Sequence, residues 1–221
     1  IGANAKDRGK FVYELPENVV EVHEVFLDDA LRLKDSGKML HAFTEEEKNS
    51  LKELMLCKRP DWEVLFHLYY DQKLNPMSFL KSEEFLNILT ECCIKDYPYT
   101  PFADAFHTMR SMLLPVLYLM GSEVPKADVY HAICTGYGGL LACLGGHVYK
   151  KKVLLTEHGI YTREREEEII RAKWVQPAFK KQWISFFYML SDIIYTRAFL
   201  VSALFTNAMH CLLYTSDAAD D

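Results

Sequence analysis

A basic excess is missing from this sequence. Its 221 residues carry 25 Lys and Arg against 31 Asp and Glu, a formal net charge of -6, which argues against a surface built to neutralise the phosphates of a nucleic acid. Any nucleotide bound here is expected to be a small molecule. Also missing is a metal-closing pattern: Cys57, Cys92, Cys93, Cys134, Cys143 and Cys211 include no CxxC pair and no zinc-type histidine spacing, so packed, reduced thiols in a cytosolic protein are expected and a metal is not. The most apolar stretch, residues 184–205, is interrupted by Asp192 and Arg197 and falls short of the about 18 uncharged residues a spanning helix needs. No leader pattern opens the chain. The dinucleotide fingerprint GxGxxG is absent, and Ser36-Gly37-Lys38 lacks the upstream glycine of a phosphate loop.

What is present suits one globular unit with a sizeable core: 50% of the residues are hydrophobic and 25% charged. Val19 to Leu27 is rich in β-branched residues and predicts a strand. From about Thr44 to Met120 the pattern turns helical. Thr44 with Glu47 forms a capping box ahead of Leu51, Leu54 and Met55. Asp61 caps a helix carrying Trp62, Leu65, Phe66 and Tyr69, and Ser82 caps one carrying Phe85, Leu86, Leu89, Cys92 and Cys93. Thr100-Pro101 opens a fourth, with Pro at the first helical position.

Strands and helices then alternate. Ala127 to Ala132 predicts a buried strand, Thr135 to Gly139 a glycine-bearing turn, Leu140 to His147 a helix and Lys152 to Thr156 a second strand. The loop Glu157-His158-Gly159 leads to a helix from about Thr162. A longer helix follows, with Phe179, Trp183, Phe186, Phe187, Leu190 and Ile194 on one face, and a last strand spans residues 199–205. This order implies a parallel sheet with right-handed crossovers. The fold class is therefore α/β and Rossmann-like, with four helices inserted over about 44–120.

In open parallel sheets, ligands gather beyond the carboxyl ends of the strands. Two segments qualify. In His131 to Gly139, glycines at Gly136, Gly138 and Gly139 let a ligand or a neighbouring backbone come close, and a purely steric turn explains them equally well. His131 stands between a substrate contact and a hydrogen-bonded core histidine. The second segment, Thr156 to Arg165, packs Glu157, His158, Arg163, Glu164 and Arg165 directly behind an apolar strand. His158 is the strongest candidate, since Gly159 beside it leaves room for a substrate, whereas the run Glu164 to Glu168 also suits a solvated helix start. His23, His41, His67, His107 and His147 read as surface or helical residues without a site.

The runs Tyr13 to Leu27, Ala127 to Ala142, Leu154 to Glu166 and Trp183 to Tyr195 resemble the Pel exopolysaccharide glycosyltransferases, retaining family-4 enzymes, over nearly everything from Ile1 to His210. The string TEHGIYTRE is the most specific part. The resemblance implies the N-terminal, acceptor-side Rossmann-like domain of a GT-B enzyme (residues 1–210) that transfers a hexose from a UDP-sugar to a growing polysaccharide without metal or other cofactor. It implies His158 facing the reacting carbon as the catalytic contact. Substrate would meet His131, Thr135, Gly136, Gly138, Glu157, Gly159 and Arg163. The implied setting is the cytoplasmic side of a bacterial inner membrane, beside membrane-embedded Pel synthase components. By that comparison the chain opens mid-strand at Ile1, the glycine-rich opening loop and the donor-binding domain are not in it, and residues 211–221 look like a sequencing adapter. A non-catalytic assembly or regulatory subunit of the same synthase is the competing reading; a nicotinamide-dependent enzyme is disfavoured by the missing fingerprint.

Overall fold

The computed structural model describes residues 1–12, 14–34 and 41–204. Five helices come first: α1 (Glu45–Met55), α2 (Trp62–Phe66), α3 (Pro76–Leu80), α4 (Glu83–Asp96) and α5 (Phe102–Met120). Then follow β1 (Val129–Ala132), α6 (Gly136–Tyr149), β2 (Lys152–Glu157), α7 (Tyr161–Arg171), α8 (Lys180–Arg197) and β3 (Ala198–Ala203). The three strands pair in parallel in the order β1-β2-β3. The fold is α/β and compatible with a Rossmann-like arrangement.

The helix starts follow from their caps. Thr44 Oγ1 accepts the Glu47 amide at 3.2 Å while Glu47 returns its carboxylate to the Thr44 amide at 2.9 Å, closing the expected box. Asp61 and Ser82 cap α2 and α4 as their spacing requires. Pro101 sits one residue earlier than expected, as the cap of α5 and not its first turn. Two short elements escaped the periodicity: α3, opened by Asn75 and Pro76, and a π-type turn over His67–Asp71 that continues α2. On α4, Leu86 is exposed and Cys93 only half-buried, so the buried face narrows to Phe85, Ile88, Leu89 and Cys92.

The expected strand at Val19 to Leu27 does not form. Only Phe26 pairs, in a single parallel bridge to Gly2, and Leu27 already begins a 3-10 turn. Val19, Val20 and Val22 are exposed, because β-branched residues favour a strand only where a ladder and a packed face receive them. Tyr13, the Ser36-Gly37-Lys38 run, the end of the expected strand at 205 and the tail at 211–221 lie outside the described residues.

One apolar cluster runs through both parts of the molecule, from Leu51, Leu54, Phe66 and Leu117 to Leu140, Leu155, Phe186 and Ile194. Val153 and Leu155 of β2 point into it, while Val129, His131, Phe199 and Leu200 stand exposed on or beside the sheet's other face. That asymmetry follows from the strand order. Two right-handed crossovers taken in sequence place α6 and α7–α8 on the same side of the sheet.

Candidate functional site at the carboxyl edge of the sheet

The two polar segments meet where β1 and β2 end. Gly136 opens α6 at φ 65°, and a Cβ built there would stand 2.5 Å from the Tyr161 hydroxyl at the start of α7. This contact joins the loop after β1 to the loop after β2, and the expected glycine-bearing turn becomes the first turn of α6 itself. Thr135 is the cap residue of α6, yet its side chain caps nothing. It is buried, with its hydroxyl 3.1 Å from Ser191 Oγ on α8. The opening amides of α6 therefore carry no side-chain cap and point their partial positive charge at the sheet edge.

Successive residues at the end of β2 face opposite ways. Glu157 turns inward, only 2% exposed, and accepts a hydrogen bond from the Tyr195 hydroxyl of α8. Burial pushes its carboxyl above the ordinary value of 4.5; the Tyr195 hydrogen bond and His158 pull the other way, and Glu164 adds to the rise. Tyr195 is itself raised well beyond the usual tyrosine range, first by burial and then by this carboxyl. Next in the chain, His158 is exposed. The exposed imidazole of His158 and the inward-turned carboxyl of Glu157 thus occupy opposite sides of the end of β2.

The remaining candidates spread out. His131 is exposed on the open face of the sheet, which removes the core-histidine reading. Its Nε2 lies 2.8 Å from Thr156 Oγ1, which lies 2.8 Å from Ser202 Oγ, so a polar row crosses all three strands. Gly138 backs onto the Cys134 thiol, and a Cβ at Gly159 would run into the Glu164 carboxylate, so the room expected beside His158 is bounded by that carboxylate. Arg163 points away on the solvated face of α7, 3.7 Å from Glu167 and 70% exposed. His147 is less idle than expected: half-buried, it stands 2.6 Å from Glu63, which also pairs with Arg197 at 2.5 Å, tying α2 to α6 and α8.

Sequence reasoning missed Ser191 and Tyr195, both on the apolar helix α8. The one available signal was a polar atom at helical spacing within a buried stripe. Among the described residues, no group of three His, Cys, Asp or Glu side chains is placed to hold a metal ion. No helix among them is long and apolar enough to cross a membrane.

The model of one protein family, described as a domain of unknown function (DUF3492), matches residues 1–216. Neither a curated protein nor a solved structure matches the chain. With nearly its whole length covered, the chain belongs to the DUF3492 family, which is associated with glycosyltransferase-like proteins.

Proposed function

We propose that this chain is the acceptor-side part of a retaining glycosyltransferase of the Pel type, residues 1–210 with helices inserted over about 44–120, moving a hexose from a UDP-sugar to a growing exopolysaccharide. The observation that carries the reading is the pairing at the end of β2: exposed His158 beside buried Glu157, which Tyr195 anchors. Family membership and the TEHGIYTRE string support it.

In this reading His158 contacts the transferred sugar near the reacting carbon, and the carbonyl and amide groups of the loops after β1 and β2 hold acceptor hydroxyls. The uncapped start of α6 offers donors to a negatively charged oxygen. His131, Thr135, Gly136, Gly138, Gly159 and Arg163 are the proposed substrate-side residues, with Arg163 reaching inward only if it leaves Glu167. Charge developing on the departing phosphate needs donors placed for it, and the described residues gather no basic cluster at this edge. The donor nucleotide is therefore assigned to a second domain, and the assembled enzyme to the cytoplasmic side of the inner membrane with polysaccharide synthase components as partners.

The test is His158→Ala in the complete enzyme, read as hexose transfer from UDP-sugars and as denaturant midpoint. A contact made in the transition state predicts a 30- to 1,000-fold drop in turnover, about 2 to 4 kcal/mol, with the midpoint unchanged because the side chain is exposed. Unchanged turnover overturns the assignment.

A further inference from the structure

Where a described helix follows a Ser, Thr, Asp or Asn, that side chain caps it: Thr44 on α1, Asp61 on α2, Asn75 on α3 and Ser82 on α4 each accept from an amide of the first turn. Helix α6 is the exception. Thr135 precedes it with the extended backbone of a capping residue, φ -75° and ψ -157°, yet its hydroxyl makes no cap. One side-chain rotation separates that hydroxyl from the amides of Tyr137 and Gly138, the second and third residues of the helix. A threonine in this place ordinarily takes such amides, so a stronger claim on its hydroxyl is needed to keep it away.

Ser191 of α8 makes that claim. Its Oγ lies 3.1 Å from Thr135 Oγ1, and both residues are 1% exposed, so water does not compete. The same Oγ lies 2.9 Å from the Phe187 carbonyl. A carbonyl can only accept, so it takes the one Ser191 proton, and Thr135 donates its own to Ser191. A buried chain of hydroxyls results, and turning Thr135 onto α6 would leave Ser191 without its donor. Two features of the helices build this contact. Tyr188, Ser191 and Tyr195, spaced three and four apart, share one face of α8 and reach Glu166 of α7, Thr135 and Glu157 in turn. Gly139 lets α6 approach that helix, since a Cβ there would stand 3.0 Å from the Ile194 side chain.

We propose that Ser191 is a positioning residue: acting through Thr135, it keeps the first turn of α6 uncapped, so that the amides there remain open to a substrate oxygen at the carboxyl edge of the sheet. The helix gives up the stability of its cap for this, and the hydroxyl that would have supplied the cap is stored in the α6–α8 contact. The substrate part of the inference rests on the glycosyltransferase reading; the competition between Ser191 and the α6 amides for Thr135 does not.

The test compares the parent with Ser191→Ala, alone and combined with Thr135→Val, in the complete enzyme. Removing Ser191 frees Thr135 to cap, so hydrogen exchange at residues 137–138 should slow about fivefold, with the denaturant midpoint not lowered. Adding Thr135→Val, which has the shape of threonine and no acceptor, should return exchange to the parent rate. Ser191→Ala should lower hexose transfer about tenfold or more through kcat, while Tyr188→Phe, which removes a hydrogen bond from the same face of α8, leaves transfer at the parent level. Exchange that is unchanged or faster in Ser191→Ala overturns the proposal, as does a lowered midpoint, which would make Ser191 a packing residue only. Slowed exchange with undiminished transfer also overturns it, because the amides would then serve no substrate. A parent that transfers no hexose while exchange responds as expected would instead sink the glycosyltransferase reading and leave the diverted cap demonstrated.

Discussion

At Gly136 two demands coincide: φ lies at 65°, in the left-handed region, and the Tyr161 hydroxyl occupies the place of a side chain. Gly9 shares the first demand, with φ 71°, but has open space around it. Alanine at Gly9 therefore loses about 1 kcal/mol from backbone strain alone, and alanine at Gly136 about 3 kcal/mol, strain and overpacking together. Denaturant midpoints of the two variants measure the difference; equal losses would mean that Tyr161 moves aside freely. Glu157 gives a prediction of a different kind. An acid whose folded-state pKa stands above its ordinary 4.5 binds its proton more tightly in the folded chain, so its stabilising contribution is full below 4.5 and is lost as pH rises through the folded value. Glu157→Gln keeps an acceptor for Tyr195 and removes the titration. Across about pH 4 to 8 the parent should lose stability relative to the variant as pH rises, whereas parallel stability curves would show that the Glu157 carboxyl binds its proton equally well in the folded and unfolded chain.

Between elements, α6 owes its place to small residues. Its Gly145 lies under the Tyr130 ring of β1 and its Gly146 against Val153 of β2. Alanine at Gly145 would raise helix propensity by about 1 kcal/mol, but the Tyr130 ring is held by its hydroxyl, which donates to the Pro125 carbonyl at 2.8 Å. Overpacking of about 1 to 3 kcal/mol wins, and Gly145→Ala is expected to lower the midpoint by about 1 kcal/mol net. A stabilised variant would show that the helix shifts outward instead. Much at this scale was legible beforehand. Local signals, such as the Thr44–Glu47 box and the caps at Asp61 and Ser82, act within four residues and appear in the fold as written. The strand expected at Val19 to Leu27 failed because pairing is not local: with one bridge to Gly2 there is no ladder to hold it. The site divides the same way. The position of His158 and Glu157 at a strand end followed from the alternation of elements, but the links from Glu157 to Tyr195 and from Thr135 to Ser191 join residues 38 and 56 apart, and nothing in a single sequence pairs them.

Across the whole molecule, the thiols report how the chain is packed. Burial pushes Cys57 and Cys143 up to about 12 and Cys92 to about 11, leaving almost no thiolate at neutral pH. Cys134 is exposed just past the end of β1. Under native conditions maleimide should therefore modify Cys134 well before Cys57, Cys92 and Cys143, as peptide mapping by mass spectrometry would record. Early labelling at Cys57 or Cys143 would mean that the core opens on the labelling timescale.

The apolar cluster that passes unbroken from Leu54 and Phe66 through Leu117 to Leu140 and Ile194 has a consequence for how the chain comes apart. Helices α1–α5 and the sheet with its covering helices share a single set of buried contacts, so lifting either away strips the other of its interior. Each half is therefore expected to fold poorly alone, and the molecule to unfold as one cooperative unit. Cutting the chain in the stretch 122–128 would accordingly yield two adhesive pieces and not two domains.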